Sequence, residues 1–516
     1  MVGREGTAVL KKAFDKISEI LDLNYICLIL SAVISFCVLT VCSKNSPVYA
    51  FNDWVDGNAF FTVGKGIANG LVPYKDLFEQ KGPLLYLIYA IGYLICNDSF
   101  FGVYILEIIS GAFFTFFLYK LIREYAGTFY SYIGAALTIS LMFSSTQFVQ
   151  GGSAEEFCLP LMAYSFYSIA HHINHEAFSR SYFFFNGLAA GLISLIKFNL
   201  LGFWFIWMAC NFFYVLYKKS FKQGLFACLY FLAGMFLPIL ISVIVFALAG
   251  GLKDYINTYI FFNTQAYTTT TPFAERVTDM FSSVDMQAKY SLWIYVVTII
   301  GLIGLFTRIY QKAVLPIFVI LSYIFLMLGI YFGGNPFIYY YLMLSPYVVF
   351  GFIAIACSFE KFLFKDSYVR VLILTLVSMV LFYHNTMSTN HLQAKNINKM
   401  DFVQYQFAEI IDSDKDTSLL NYGFLDGGFY TAANVVPTVK YFMLQNVDST
   451  KYPIIMESQN QYLKDKTTNY VVVREYFANV GYHTDIPYLN ENYQLISEKK
   501  TTYESMDVTY FLYKRK

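Results

Sequence analysis

Pro83-Leu-Leu-Tyr-Leu-Ile-Tyr-Ala-Ile-Gly-Tyr-Leu-Ile-Cys96 is an uninterrupted apolar run of 14 residues. A helix needs about 20 such residues to cross a bilayer, so this run reads as a helix lying in the interface. That choice decides the topology. If the run does not cross, the loops on one side hold Lys120 and Arg123, then Arg180, then Lys218, Lys219 and Lys222, then Arg308 and Lys312, and last Lys361, Lys365 and Arg370. All of these loops are basic, as cytoplasmic loops are. The short loops on the other side, at Gly151–Gly152 and Gly333–Pro336, carry no Lys or Arg. If the run did cross, the downstream bias would invert. The N-terminus is therefore expected inside. Residues 43–100, 150–156, 250–290 and 333–337 are expected outside, together with the tail from about His384.

Around this run the chain is built for lipid. Of its 516 residues, 57% are hydrophobic and only 14% charged, against about 45–50% and 25% in soluble proteins. Mean hydropathy is +0.49. These values exclude a soluble multidomain enzyme and a disordered scaffold, and a net charge of +1 offers no field for nucleic acid. The 53 Phe and 45 Tyr suit helices that meet both lipid and a wet cavity. Apolar runs begin near Tyr25, Phe101, Phe129, Phe157, Tyr182, Leu200, Leu225, Ser291, Ala313, Ile338 and Val371, which gives eleven spans. The first follows a charged start with Arg4, Lys11, Lys12 and Lys16, too long for a cleaved signal peptide.

The expectation is an α-helical polytopic membrane protein, with a transmembrane domain over residues 1–383 and a small extracellular α/β domain over 384–516. In that tail, Asp401 to Ile411 has helical spacing. Leu419–Tyr422, Tyr470–Val473, Tyr493–Ile496 and Val508–Tyr513 read as strands. All eight Cys lie between Cys27 and Cys357, so an extracellular tail would use no disulfides. The composition fits the plasma membrane of a Gram-positive bacterium.

The first outer loop carries the chemistry. It runs Asp53-Trp-Val-Asp56-Gly-Asn-Ala-Phe-Phe, and reaches Lys75-Asp76-Leu-Phe-Glu79-Gln-Lys81-Gly-Pro83. Ala59, Phe60, Val63 and Ile67 share one helical face, so residues 58–69 are expected to form an amphipathic helix on the outer leaflet, ended by Gly70. Asp56 stands at its entrance. A second interfacial helix starts at Pro83, a favoured first position, with Lys81 just ahead. A carboxylate can take a proton from an attacking hydroxyl, and a lysine can hold a phosphate as a compact charge. Asp56 would also serve well as a plain helix cap.

The stretch Asp56-Gly-Asn-Ala-Phe-Phe, then Gly70-Leu-Val-Pro-Tyr-Lys-Asp76-Leu-Phe-Glu-Gln-Lys81-Gly-Pro, resembles the first-loop signature of GT-C glycosyltransferases. It is most similar to the bacterial branch related to protein O-mannosyltransferases and the lipid A aminoarabinose transferase. The resemblance is specific over about 35 residues and loose over the transmembrane region. It implies an integral membrane enzyme that passes a sugar from a polyprenyl-phosphate carrier, with inversion, to an acceptor outside the membrane. It puts the family's first-loop acid on Asp56 and its phosphate-holding lysine on Lys81. The second outer loop, Gly151-Gly-Ser-Ala-Glu155-Glu156, and Lys197-Phe-Asn199 also resemble this branch. Near the last outer loop, where the branch often has His-Tyr, the chain reads Tyr339-Tyr340-Tyr341, so any role of that histidine passes to a tyrosine such as Tyr340.

The reading assigns Asp56 as general base and Lys81, Lys197 and Arg276 as donor-phosphate contacts. Asp53, Asp76, Glu79, Glu155, Glu156 and Tyr340 are candidates for acceptor or sugar. No metal is required, though Asp53 with Asp56 could hold a divalent cation. Lys197 and Glu107 are ionisable residues inside apolar runs, a position that marks function unless the side chain snorkels. His171, His172 and His175 resemble a metal cluster, but the topology places them on the cytoplasmic side, where they read as interfacial histidines. The partners implied are the membrane, an undecaprenyl-type phosphosugar and a cell-wall polymer or other envelope acceptor. The rival class is a transporter or flippase of lipid-linked sugars, which would hold phosphate with the same cations but needs no base.

Overall fold

The computed structural model describes residues 15–176, 178–267, 272–307, 309–310, 312–331, 337–362, 368–389, 391–411, 417–476, 481–503 and 506–516. Arg4, Lys11, Lys12, Arg308, Lys365 and the loop at 333–336 lie outside them. The chain divides into two compact units. The first is drawn from Met1–Ser43, Glu107–Ile239 and Thr271–Leu392, the second from Lys44–Leu106, Leu240–Thr270 and Gln393–Lys516.

A helix covers each of the eleven apolar runs. In chain order the helices include α1 (Asn24–Cys42), α2 (Val55–Ala68) and α3 (Pro83–Ile95) between the first two runs, α4 (Phe101–Arg123), α5 (Thr128–Phe143), α6 (Ala154–His175), α7 (Arg180–Lys197), α8 (Gly202–Lys218) and α9 (Phe221–Leu248). Among the described residues six helices are long and apolar enough to cross a membrane by length and composition, and Thr128–Phe143 and Leu372–Met387 are shorter apolar helices. The α9 helix shows why lipid is its solvent: Leu225, Leu229, Phe236, Leu240, Ile244 and Leu248 all stand exposed, a surface no water-soluble protein leaves bare. This is a multi-pass membrane protein.

Within the first unit, α7 and α9 approach closely because Gly187 and Gly191 sit one turn apart on the facing side. A Cβ on either would overlap a carbonyl of the α9 backbone, that of Phe231 or Met235, which is the small-residue packing lipid-embedded helices use. The segment 250–290, expected as an outer loop, is largely helical among its described residues. It holds a π-helix, Ile256–Ala266, and α10 (Phe273–Tyr290), which is bent 108° from α11 (Leu292–Gly304).

The second unit contains a four-stranded sheet of order β1-β2-β4-β3: β1 (Leu419–Tyr422), β2 (Tyr470–Tyr476), β3 (Tyr493–Tyr503) and β4 (Met506–Arg515). The β1–β2 pair is parallel and the others antiparallel. Each expected strand is present.

The α2 helix differs from its expected half-wet form. Its apolar face is buried as foreseen, but so are Asn58, Thr62 and Lys65 on the opposite side. These three follow at spacings of four and three, one polar stripe. Thr62 donates to Asp426 (2.6 Å), the Lys65 ammonium to the Tyr430 carbonyl (2.8 Å), and Thr431 to the Asn58 side chain (2.8 Å). The segment 426–431 covers the face that amphipathicity alone assigns to water. Burial pulls the Lys65 ammonium down to about 7 and pushes the Asp426 carboxyl up to about 6, each partly offset by the other's charge.

The α2–α3 contact is equally tight. A Cβ on Gly64 would lie 2.6 Å from the Tyr89 carbonyl carbon and 2.7 Å from the Ala90 nitrogen. Gly64→Ala is expected to cost about 1–3 kcal/mol by overpacking, read as a lower melting temperature of the detergent-solubilised protein.

Candidate active site

Asp56 lies in the first turn of α2, one residue inside it, because Trp54 occupies the cap position. It is therefore not the helix cap. Its negative charge still favours the helix start. Asp56 is half-buried and shares its helical face with Phe60, four residues on. Phe60 is 1% exposed, and the Lys81 ammonium sits 5.9 Å from the centre of its ring. One aromatic ring thus borders both the acid and the lysine.

Glu79 joins them. It is 4% exposed. Its carboxylate accepts from the Tyr86 hydroxyl, one turn into α3, and from the Lys81 backbone N–H (2.9 Å). The loop is held from the other end by Tyr74, whose hydroxyl donates to the Lys81 carbonyl (2.7 Å). Tyr74 adopts φ +69, a conformation a bulky residue takes only under constraint. Gly82 then enters α3 in extended geometry and Pro83 fills its first turn. Burial pushes the Glu79 carboxyl up to about 7; the Lys81 charge and backbone N–H groups oppose this, and the charge of Asp56 adds to it. The two charges expected to cooperate are both within electrostatic reach of this one buried carboxylate.

The other first-loop acids are engaged elsewhere. Asp53 pairs with Lys44 at 2.8 Å. Asp76 accepts from the Val72 N–H (2.7 Å) and returns its own N–H to the Val72 carbonyl, closing a turn.

In the first unit, the second loop also forms a cluster. Ser153 caps α6 by accepting from the Glu156 N–H. The Glu156 carboxylate accepts from the Gly152 N–H (2.8 Å), and both Glu155 and Glu156 are buried. Gly151 has φ +88, and a Cβ there would meet Glu107 and Ser43. Buried Glu107 accepts from the Ser43 hydroxyl at both oxygens (3.0 and 2.9 Å). Lys197 forms an ion pair with Glu155, and its ammonium sits over the Tyr340 ring, 3.0 Å from the centroid. Tyr340 is therefore a cation–π contact of Lys197. Arg276 lies in the first turn of α10, half-buried.

Sequence reasoning did not foresee Tyr86 as the partner of Glu79, Lys44 as the partner of Asp53, or the lock of Asn58, Thr62 and Lys65. Tyr86 stands seven residues after Glu79 across the Gly-Pro step, a spacing that brings it back over the loop once α3 is drawn.

A family model described as dolichyl-phosphate-mannose-protein mannosyltransferase matches residues 80–247. No curated protein sequence matches the chain significantly. Among solved structures, the chain is similar to ArnT from Cupriavidus metallidurans bound to undecaprenyl phosphate. The identity is 10%, the TM-score 0.60, and the match covers 93% of this chain and 97% of that one. The oligosaccharyltransferase of Archaeoglobus fulgidus, in complex with Zn and sulfate, matches at 14% identity and TM-score 0.54, over 87% of this chain and 67% of the other. The arabinofuranosyltransferase AftD from Mycobacteria matches at 10% identity and TM-score 0.52, over 96% of this chain and 40% of the other. The chain thus has the fold of these membrane glycosyltransferases, and the family-model match covers about a third of it.

Glu79 binds its proton more tightly when folded than its ordinary value of 4.5 allows. Its stabilising contribution is complete below about pH 4.5 and is lost as pH rises through about 7. Between about pH 5 and 8 the wild-type melting temperature is expected to fall more than that of Glu79→Gln, which keeps an acceptor for Tyr86 without the titration. Parallel slopes would show that Glu79 does not titrate in this window.

Proposed function

We propose that the protein is an inverting glycosyltransferase that moves a sugar from a polyprenyl-phosphate carrier to a cell-envelope acceptor on the outer face of a bacterial plasma membrane. The observation that carries the reading is that Asp56 and Lys81 both act electrostatically on the buried Glu79 carboxylate, with the Lys81 ammonium beside the Phe60 ring. In this reading Asp56 takes the proton of the acceptor hydroxyl. The hydroxyl oxygen attacks the anomeric carbon, and the bond to the phosphate oxygen breaks with its electron pair going to the phosphate. The leaving group gains a negative charge, which Lys81 stabilises. A positioned base of this kind contributes roughly 10²- to 10⁴-fold.

Glu79 tunes the lysine. With its carboxyl near neutrality at about 7, it leaves much of the Lys81 charge for the phosphate. The roles of Lys197 and Arg276 as phosphate contacts belong to the same proposal, Lys197 exchanging Glu155 for a phosphate oxygen. The match to a structure holding undecaprenyl phosphate supports the donor class. A wall polymer or other envelope glycan is the proposed acceptor. In this reading the N-terminus is cytoplasmic and residues 384–516 lie outside, as the basic loops suggest.

Asp56→Asn is expected to fold normally, because Asp56 is not the cap, and to lose transfer from a radiolabelled polyprenyl-phosphate sugar by at least about a hundredfold. Unchanged transfer would remove Asp56 from this role. Acceptor-independent movement of the lipid across liposomes by purified protein would favour a flippase instead.

A further inference from the structure

The opposite end of α6 carries a second chemical cluster that the transfer reaction does not use. We propose that Glu124, His171 and His175 form a binding site for a divalent transition-metal ion of the zinc type. The proposal is independent of the glycosyltransferase reading. His171 is 16 residues from Glu155 on the same helix, or roughly 24 Å at 1.5 Å per residue.

The two histidines are four residues apart, so both project from one face of the last turns of α6. Their ring centres lie 4.5 Å apart. Glu124, just past the end of α4, places one carboxylate oxygen against each ring. Oε1 is 2.8 Å from His171 Nδ1, and Oε2 is 3.0 Å from His175 Nε2. One ligand atom from each residue lies within 4.8 Å of the others. The Asn174 side-chain amide also points its nitrogen at Oε2, at 3.4 Å. His172 faces elsewhere: it is buried and stacks on Tyr182 at 4.0 Å.

Two imidazoles and one carboxylate are a donor set that suits zinc with a water as fourth ligand. The burial pattern matches an open site. The Glu124 side chain is 11% exposed, whereas those of His171 and His175 are 43% and 56% exposed, so the carboxylate forms the floor and the rings flank an entry from solvent. Binding requires each imidazole to turn a lone pair toward the carboxylate and carry its proton on the other nitrogen. An ion there would sit at the C-terminal ends of both α4 and α6, where the helix dipoles favour positive charge, and would join the two helices.

The test uses the full chain in detergent, stripped with a chelator and titrated with Co²⁺ as a spectroscopic probe. One equivalent is expected to bind with a visible d–d band and to raise the melting temperature. The double variant H171Q/H175Q changes only half-exposed side chains. It is expected to weaken binding by at least about tenfold and to abolish the metal-dependent stabilisation. If wild type and double variant take up Co²⁺ equally, or if the wild type shows no band, the site does not exist.

Discussion

A carboxylate sealed from water holds the loop between α2 and α3 in shape. Glu79 is fixed by the Tyr86 hydroxyl and the Lys81 backbone, and it cannot move without leaving buried polar groups unpaired. Because Tyr86 is on α3 and Lys81 immediately precedes that helix, the same contact sets where α3 begins. Tyr74 reaches the Lys81 carbonyl from the preceding turn. The position of the lysine is therefore determined by hydrogen bonds to its own main chain, with its ammonium beside the Phe60 ring.

Charge is scarce in this chain, and several of its buried charged groups have polar partners. Lys197 meets Glu155, Glu107 meets the Ser43 hydroxyl, and Lys65 meets the Tyr430 carbonyl. An isolated ion at these depths would cost several kcal/mol, so each pairing explains how a charge persists inside apolar surroundings. The Glu155–Lys197–Tyr340 cluster shows the same logic with an aromatic face, which accommodates an ammonium without a second carboxylate.

The parts of the fold that depend on local pattern were legible in the sequence. The apolar runs, the Pro83 helix start and the strands at Leu419, Tyr470, Tyr493 and Val508 follow from periodicity and turn chemistry. That Asp56 and Lys81 stand at the entrances of two helices within one loop was also legible. What escaped was anything joining distant segments. The polar stripe of α2 reads as a wet face until residues 426–431 are placed on it. Glu124 has no sequence signal tying it to His171, 47 positions later. Periodicity reports which face is apolar but not what covers the polar one.

That covered stripe bears on how the protein is made. Thr62 waits for Asp426, a partner 364 residues downstream. At about 5–20 residues per second of synthesis, the interval is roughly 20 to 70 s. For that time a lysine and two hydroxyl or amide groups must remain hydrated on a nascent helix, so the segment that bears the proposed base reaches its final packing only once residues 426–431 have been made.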